Sequence, residues 1–375
     1  MKGDCIDKYS YIFIIQGKMK LLFVGYLHGF GGAEKMQINL ANAMAEKGHE
    51  VLFISLAENN LKYTLSEKVK YKFIKDKGKN KMTILLNRYF NLKALLSSKE
   101  HDLSVHFWLQ SAYMCAFMSD KIANKTIYCE RSDPYDKEYS GFLGKIRNLS
   151  FKRIRGFVFQ SKGARNYFGE KVQNKSCIIF NPVFIKKEDF QISLVREKRI
   201  VTVGRLHEQK NQKLLIEAIK MLPSKYDNYI IEIYGDGPLE EELQKLIIKY
   251  NLSKRIILRG TFKDIHKRIV NASLFILTSD YEGMPNALME AMALGLPCIS
   301  TDCRPGGAKE LIKNKENGII IPCNDKLALV EAIKFMLENQ SIANKMGEKA
   351  KEIIDIANPE QIYKMWEKFF KSKML

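Results

Sequence analysis

Residues 20–55 read KLLFVGYLHGFGGAEKMQINLANAMAEKGHEVLFIS, and this stretch decides the fold class. An apolar run of strand length at 20–25 leads into a glycine-rich loop at 29–32. A helical pattern follows at 33–47, and a second apolar run at 51–55. Short apolar runs that alternate with helical patterns predict an α/β protein whose parallel sheet is wrapped by helices.

The same alternation continues along both halves of the chain. Further strands of the first half are predicted at 71–74, 103–107, 126–129, 156–160 and 177–180. Strands of the second half are predicted at 199–203, 229–234, 256–259, 274–278, 298–301 and 318–321, with helical patterns between them. We therefore expect two doubly wound parallel-sheet domains, with a ligand cleft between them at the carboxyl ends of the strands.

Domain boundaries follow from the segments that fit neither pattern. Residues 1–18 precede the first predicted strand and are interpreted as an extension without an assigned function, so the first domain is predicted at 19–183. The charged, poorly periodic segment 184–198 is predicted to be a linker, and the second domain covers 199–356. Residues 357–375 place aromatic side chains at helical spacing, which predicts a terminal helix that packs back on the first domain.

Composition narrows the class of protein. The chain has 375 residues, of which 46% are hydrophobic, and this is enough for two cores. Its seven cysteines show no C-x-x-C spacing, which argues against a zinc site and a disulfide framework and favours a reducing cytosol. No apolar run approaches the roughly 18 to 20 residues of a membrane span, so we expect a soluble or peripheral protein.

The charge is strongly and unevenly basic. The net charge is +19, and residues 1–185 contain 30 Lys and Arg against 16 Asp and Glu. A basic half of this kind is attracted to anionic surfaces, either nucleic acid or the inner leaflet of a membrane. A solvated, lysine-rich surface without a partner is the alternative that composition leaves open.

Two carboxylates stand out in the segment SDYEGMPNALMEAMALG at 279–295. Glu282 and Glu290 lie eight positions apart around the start of an apolar helix, which is expected to begin at Pro285. The pattern predicts a buried helix, and a buried Glu290 would need a partner that the segment's own residues do not supply. A polar ligand is one candidate. The alternative is a capping Glu282 and an unrelated Glu290 at a solvated edge.

Other residues at predicted strand ends suit phosphates. Gly31 and Gly32 lie between a strand and a helix, where backbone amides can approach a phosphate, although glycine there also serves conformation alone. Arg205 and Lys210 follow the first strand of the second domain, and a guanidinium and an ammonium together suit a diphosphate. With Glu282 and Glu290 they would bind a nucleotide diphosphate sugar, with Glu290 at the ribose diol and Glu282 at the sugar hydroxyls.

Several motifs together carry a family resemblance. They are Glu282 with Glu290, GGAEK at 31–35, VGRL at 203–206 with Lys210, GDGP at 235–238, ERSDP at 130–134 and the Pro305-Gly306-Gly307 turn. From Met19 to about Phe370 the chain resembles the retaining glycosyltransferases of family 4, group 1 type, which have the GT-B fold of two Rossmann-like domains. It is most similar to bacterial enzymes of capsule, exopolysaccharide and O-antigen synthesis. Many relatives carry Arg at the position of Lys35.

The resemblance implies a metal-independent, configuration-retaining transfer from a nucleotide sugar, usually a UDP-sugar, with no cofactor. It assigns Arg205 and Lys210 to the diphosphate, Glu290 to the ribose, Glu282 to the donor sugar and Gly32 to backbone contact with the phosphates. Catalysis is expected from Glu282, Arg205 and Lys210. The residues expected to shape the donor site between the glutamates are Gly283, Met284, Pro285 and Asn286.

Two residues of the first domain are further candidates for contact with the acceptor or the sugar. His106, at the end of a predicted strand, could touch the donor sugar or position the acceptor, and a structural histidine is the alternative. Arg131, on the loop before Pro134, could face the pyrophosphate of an acceptor.

The expected acceptor is a polyprenyl-diphosphate-linked glycan, which would place the enzyme in the cytoplasm, peripheral on the inner face of the plasma membrane, with its basic first domain at the anionic lipid. A UDP-N-acetylglucosamine 2-epimerase on the same scaffold is one alternative function. A nucleic-acid-binding protein is the other, but no recognition helix, RNP pattern or zinc finger supports nucleic acid as a partner.

Overall fold

A computed structural model describes residues 17–27, 32–59, 61–135, 141–189 and 196–374, and the chain forms two compact units. The first unit contains the chain up to Asn181 together with the residues from Glu360 onward. The second unit runs from Pro182 to Pro359.

The first unit is built on a parallel sheet of seven strands in the order β3-β2-β1-β4-β5-β6-β7. The strands are β1 (Lys20–Leu27), β2 (Glu50–Asn59), β3 (Val69–Lys75), β4 (Leu103–His106), β5 (Thr126–Cys129), β6 (Gly156–Phe159) and β7 (Ser176–Ile178). The helices between them are α1 (Gly32–Glu46), α2 (Lys81–Ser98), α3 (Leu109–Ala116), α4 (Asp120–Ala123), α5 (Gly141–Ser150), α6 (Lys162–Asn166) and α7 (Glu170–Gln173).

Strand β1 lies in the middle of this sheet and is buried on both faces. Leu21 and Phe23 belong to the core cluster that contains buried residues of α1, whereas Leu22 and Val24 belong to the cluster that contains buried residues of α2. Because successive side chains of a strand point to opposite faces, a continuous apolar run is what a sheet covered by helices on both sides requires.

The second unit repeats this scheme with six parallel strands in the order β10-β9-β8-β11-β12-β13. The strands are β8 (Glu197–Val203), β9 (Ile230–Tyr234), β10 (Ile256–Gly260), β11 (Ala272–Leu277), β12 (Cys298–Thr301) and β13 (Ile319–Ile321). The helices are α8 (Gln212–Met221), α9 (Glu240–Lys249), α10 (Ile265–Ile269), α11 (Asn286–Ala293), α12 (Gly307–Leu311), α13 (Lys326–Glu338), α14 (Gln340–Ala350) and α15 (Ile353–Ile356). The prediction of two doubly wound parallel sheets is confirmed.

Strand order reverses direction next to β8 in the second sheet. From β8 the chain first builds outward through β9 and β10, and then β11 pairs with the other side of β8. In open α/β sheets, ligands bind beyond the carboxyl ends of the strands at such a switch point. The loops that follow β8 and β11 are therefore the natural place for a site.

The last helix, α16 (Pro359–Met374), packs on the first unit. Its buried side chains are Ile362, Trp366, Phe369 and Phe370, and they join the core cluster of β1 and α1. The rings of Phe107 and Trp366 stack with centroids 6.1 Å apart. The aromatic residues at helical spacing therefore complete the core of the first sheet.

One segment differs in detail from its prediction. Residues 184–198, predicted to be a linker, contain a short 3-10 helix at Lys187–Asp189 and the start of β8 at Glu197.

No helix in the described part of the chain combines the length and apolar character needed to cross a membrane. All six cysteines among the described residues are free thiols, five of them buried.

Candidate functional site

The loops after β8 and β11 are joined by hydrogen bonds. The Oγ1 hydroxyl of Thr278 donates to the backbone carbonyl of Lys210 at 2.9 Å, and the backbone amide of Asp280 donates to the carbonyl of Gln209 at 2.9 Å. The side-chain amide of Gln209 donates in turn to the carbonyl of Tyr281 at 2.8 Å. These bonds hold the segment that carries Lys210 against the segment that carries Glu282.

Glycines of the predicted GDGP turn pack directly on the backbone around Arg205. Both Gly235 and Gly237 have positive φ, and a Cβ on Gly235 would lie 2.0 Å from the carbonyl oxygen of Gly204. A Cβ on Gly237 would lie 2.3 Å from the carbonyl oxygen of Leu206. Only glycine fits such close approach, so the backbone around Arg205 is fixed while its side chain remains exposed.

Lys210 and Glu282 form an ion pair between Nζ and Oε1. The Ser279 hydroxyl donates to the same carboxylate oxygen at 2.8 Å. The Glu282 side chain is only 8% exposed and that of Lys210 20%, so the pair is well shielded from water. The family resemblance assigned Lys210 to the diphosphate and Glu282 to the donor sugar, and the structure brings the two side chains into direct contact.

Helix α11 follows Glu282 closely. The prediction that Pro285 is its first residue is wrong, because Pro285 has an extended ψ of 92° and stands as the N-cap before Asn286. The predicted apolar, buried character is confirmed by Leu288, Met289, Ala291, Met292 and Ala293. The preceding residues Gly283 and Met284 are buried, and a Cβ on Gly307 would lie 2.2 Å from the carbonyl oxygen of Gly283. The turn at 305–307 thus packs on the segment that precedes α11.

Glu290 is not the fully buried carboxylate that the sequence suggested. Its side chain is 26% exposed, and its Oε2 lies 3.4 Å from Nε2 of His266 on α10. The other ring nitrogen, Nδ1, lies 3.2 Å from Oδ2 of Asp189. Burial alone would lower the pKa of His266, but hydrogen bonds and charge from Glu290 and Asp189 outweigh burial and raise it above its ordinary value.

Sequence reasoning missed this histidine as a partner of Glu290. The two residues are 24 positions apart and lie on different helices, so no local spacing connects them. The contact depends on how α10 packs against α11, which only the folded chain defines.

The surroundings of His106 favour the alternative of a structural histidine over a sugar or acceptor contact. Its ring is fully buried, with Nδ1 3.0 Å from the Ser111 hydroxyl and Nε2 3.1 Å from the Ser104 hydroxyl. Both nitrogens are therefore engaged by neighbouring side chains. Burial lowers the pKa of His106 to about 3, so the ring is neutral near pH 7.

Arg131 packs inside the first unit. Its guanidinium lies over the ring of Phe107, 4.3 Å from the centroid, and over that of Trp366 at 5.5 Å. One terminal nitrogen, Nη1, donates to Oδ1 of Asn181 at 2.9 Å. These contacts explain how the side chain is held, and its role against an acceptor pyrophosphate stays a prediction.

Of the two glycines predicted to approach the phosphates, Gly31 lies outside the described residues. Gly32 is the first residue of α1 and is exposed. This is the position in a helix at which backbone amides can bind an anion.

Comparison with known proteins identifies relatives along most of the chain. The model of the family described as glycosyl transferases group 1 matches residues 185–353. An uncharacterized glycosyltransferase of Methanocaldococcus jannaschii is 30% identical over 291 residues, which cover 70% of this chain and 71% of the relative. An α-1,4-N-acetyl-D-galactosaminyltransferase of Campylobacter jejuni, named for an undecaprenol-diphosphate-linked glycan acceptor, is 27% identical over 343 residues and covers 89% of this chain and 93% of its own.

Solved structures extend the similarity to the fold. The crystal structure of HepE from Anabaena in complex with UDP and glucose superposes with a TM-score of 0.79 at 18% sequence identity. The match covers 94% of this chain and 100% of HepE. The architecture is therefore that of HepE.

Proposed function

The chain belongs to the group 1 glycosyltransferases, the retaining family 4 with the GT-B fold, and we propose that it transfers a hexosyl or N-acetylhexosaminyl unit from a UDP-sugar to a lipid-linked oligosaccharide. In this role it would serve the synthesis of a surface polysaccharide such as a capsule, exopolysaccharide or O-antigen. Support comes from the Campylobacter relative and its undecaprenol-linked acceptor, and from HepE with its bound UDP.

The observation that carries the proposal is the meeting of Lys210 and Glu282 beside Arg205 at the carboxyl end of β8. Arg205 is exposed on a rigid backbone, and Lys210 can exchange Glu282 for a phosphate oxygen. Glu290 lies four residues beyond Asn286 along α11, a rise of about 6 Å, which separates it from Glu282 before the helix and suits the opposite end of a nucleotide sugar. The donor would thus lie along α11 with its ribose at Glu290 and its sugar at Glu282.

The proposed chemistry needs no metal ion. As the bond between the anomeric carbon and the diphosphate oxygen breaks, negative charge develops on the leaving UDP, and Arg205, Lys210 and the positive N-terminal end of α11 would stabilise it. The acceptor hydroxyl attacks the same face of the sugar, and its proton passes to the departing phosphate oxygen. This front-face route retains the anomeric configuration without a protein nucleophile.

The membrane partner is proposed from the surface of α2. Met82, Leu86 and Phe90 are spaced four residues apart, lie on one face of the helix and are 70%, 49% and 60% exposed. Exposed lysines accompany them at Lys81 and Lys93. An exposed apolar stripe with cations matches an anionic lipid surface, where apolar side chains enter the interface and lysines meet headgroups. The enzyme would accordingly work in the cytoplasm, at the inner face of the plasma membrane.

A transfer assay tests the proposal. Radiolabelled UDP-sugars are incubated with membranes that contain the lipid-linked acceptor, and Arg205→Ala and Glu282→Ala are compared with the wild type. Each variant should lose about 100-fold or more in turnover, because each removes a group that acts on the reacting donor. Lys213→Ala, an exposed lysine of α8, is the matched control and should remain active.

Three results would contradict the proposal. Full activity of both variants would refute the site. Conversion of UDP-N-acetylglucosamine without any acceptor would favour the epimerase, and steeply salt-dependent binding to any duplex would favour a nucleic-acid-binding protein.

A thermal-shift comparison of UDP-, GDP- and ADP-sugars identifies the nucleotide, since a ligand at 100 times its dissociation constant stabilises the folded protein by about 2.7 kcal/mol.

A further inference from the structure

Three side chains from separate elements of the second unit form a line that ends at Glu290. Asp189 comes from the 3-10 helix before β8, His266 from α10 and Glu290 from α11. The histidine ring connects the two carboxylates, with Nδ1 3.2 Å from Asp189 and Nε2 3.4 Å from Glu290. Asp189 at the inner end is 8% exposed, His266 19% and Glu290 26%, so the line runs from the interior toward the surface.

This arrangement favours one protonation state of the ring. A doubly protonated imidazolium donates a hydrogen bond from each nitrogen, and each donor then meets a carboxylate. A neutral imidazole has one donor and one lone pair, so one carboxylate would face the lone pair. The charged residues next to His266 on α10 are engaged away from its ring. Arg268 pairs with Asp264 at 2.9 Å, and Lys267 is exposed to solvent.

We propose that His266 is a positioning residue for the nucleoside end of the donor. Its ring holds the Glu290 carboxylate in the orientation that accepts hydrogen bonds from the ribose hydroxyls. This inference rests on the proposed function, which assigns Glu290 to the ribose. With Oε2 engaged by His266, Oε1 is the oxygen that accepts from the ribose diol. Asp189 acts one step further away, since it fixes the ring and supports its positive charge.

The proposal makes nucleotide affinity depend on pH. The two carboxylates raise the pKa of His266 above its ordinary value of 6.5. When the pH is below that ordinary value, His266 is therefore protonated and its imidazolium holds Glu290. This contact is lost as the pH rises through the raised pKa of His266. Affinity for UDP should fall on the alkaline side.

The experiment measures dissociation constants by calorimetry for UDP and for 2′,3′-dideoxy-UDP, which lacks the ribose hydroxyls. The intact protein, His266→Gln, Asp189→Asn and Glu290→Gln are compared between pH 6 and 9. Gln at position 266 keeps one hydrogen-bond donor but cannot titrate. Lys267→Gln removes a positive charge from the same helix and is the matched control.

At pH 6.5 we expect His266→Gln to weaken UDP binding by roughly three- to tenfold and dideoxy-UDP binding by less than about twofold. The difference from the wild type should vanish as the pH rises, and Asp189→Asn should move the midpoint of the wild-type profile to lower pH. A purely structural histidine would weaken both nucleotides equally at every pH, and that result overturns the proposal.

Glu290→Gln distinguishes the assignment of Glu290 to the ribose from the positioning role of His266. If it weakens UDP selectively over dideoxy-UDP while His266→Gln does not, the ribose assignment stands and the role of His266 fails. If Glu290→Gln shows no selectivity, the ribose assignment fails and the role of His266 fails with it. Melting temperatures of all variants identify loss of folding, and Asp189→Asn tests the proposal with the histidine still in place.

Discussion

At the scale of single residues, the pairing of Lys210 with Glu282 is the feature that most changes the account of the site. The sequence predicted that both residues lie near one ligand, and each follows a strand that ends at the switch point. It could not show that they neutralise each other, since they are 72 positions apart. In the structure the ammonium of Lys210 contacts the carboxylate of Glu282, at the position where a phosphate of the proposed donor would bind.

Glu282→Gln should therefore separate binding from transfer. Loss of the carboxylate frees Lys210, so affinity for UDP, which has no sugar, should rise by roughly fivefold, equivalent to about 1 kcal/mol. Transfer should fall, because the contact to the sugar hydroxyl is weakened. Calorimetry with UDP measures the first effect and the transfer assay the second.

Lys210→Met is the matching variant and should bind UDP more weakly than the wild type. Unchanged or weaker UDP binding by Glu282→Gln would mean that the ion pair does not compete with the nucleotide.

His106 offers a prediction about acid stability. Its pKa is lowered to about 3, so its contribution to stability is complete above the unfolded value near 6.5 and is lost as the pH falls toward 3. Over this range the free energy of unfolding should drop by up to about 1.4 kcal/mol per pH unit because of this residue. The pKa values of His49 and His101 are also lowered by burial and add to the slope.

Urea unfolding at several pH values, followed by tryptophan fluorescence, measures this slope, since Trp108 and Trp366 both lie in the first unit. His106→Gln should reduce the slope. Ser111→Ala removes the hydrogen bond to Nδ1 and should lower stability while the slope remains. An unchanged slope in His106→Gln would show that the ring is not held neutral.

At the scale of elements, the sequence predicted most strands within one or two residues, because buried parallel strands form continuous apolar runs. Helix α11 was predicted as buried but one residue too early, since proline suits the N-cap region as well as the first turn. The line from Asp189 through His266 to Glu290 was not predictable, because it joins three elements through packing. The apolar stripe of α2 was likewise visible only once exposure was known.

The apolar stripe of α2 should be needed for binding to an anionic membrane. Replacement of Met82, Leu86 and Phe90 by Gln should weaken binding to vesicles that contain phosphatidylglycerol by at least about tenfold, because apolar area that enters the interface is lost. Vesicle sedimentation measures the binding, and a water-soluble acceptor should still be glycosylated.

The control replaces two exposed apolar residues of the second unit, Leu327 and Ile342, by Gln. Equal vesicle binding by the α2 variant and the wild type would show that α2 is not the docking surface. Stronger binding to neutral than to anionic vesicles would show that electrostatic attraction does not contribute to docking.

At the scale of the whole molecule, the chain leaves the first sheet near Asn181 and comes back to it through α16. Trp366 is fully buried in the first core, so Trp366→Ala should lower the stability of the first unit by about 3 to 5 kcal/mol. Fluorescence of Trp108 follows its unfolding. UDP binding should persist, because the proposed nucleotide contacts at Arg205, Lys210 and Glu290 all belong to the second unit.

Met365→Ala, at a partly exposed position on the same helix, is the control and should change stability by less than about 1 kcal/mol. If Trp366→Ala unfolds like the wild type, α16 does not contribute to the first core in solution.

The most direct test of the central claim is the anomeric configuration of the product, followed by NMR during the reaction of α-configured UDP-sugars with a polyprenyl-diphosphate-linked oligosaccharide in the presence of EDTA. We expect an α-linked product, one UDP released per sugar transferred, and a rate that EDTA does not change. A β-linked product, a requirement for a divalent metal, or consumption of the UDP-sugar without an acceptor would contradict it.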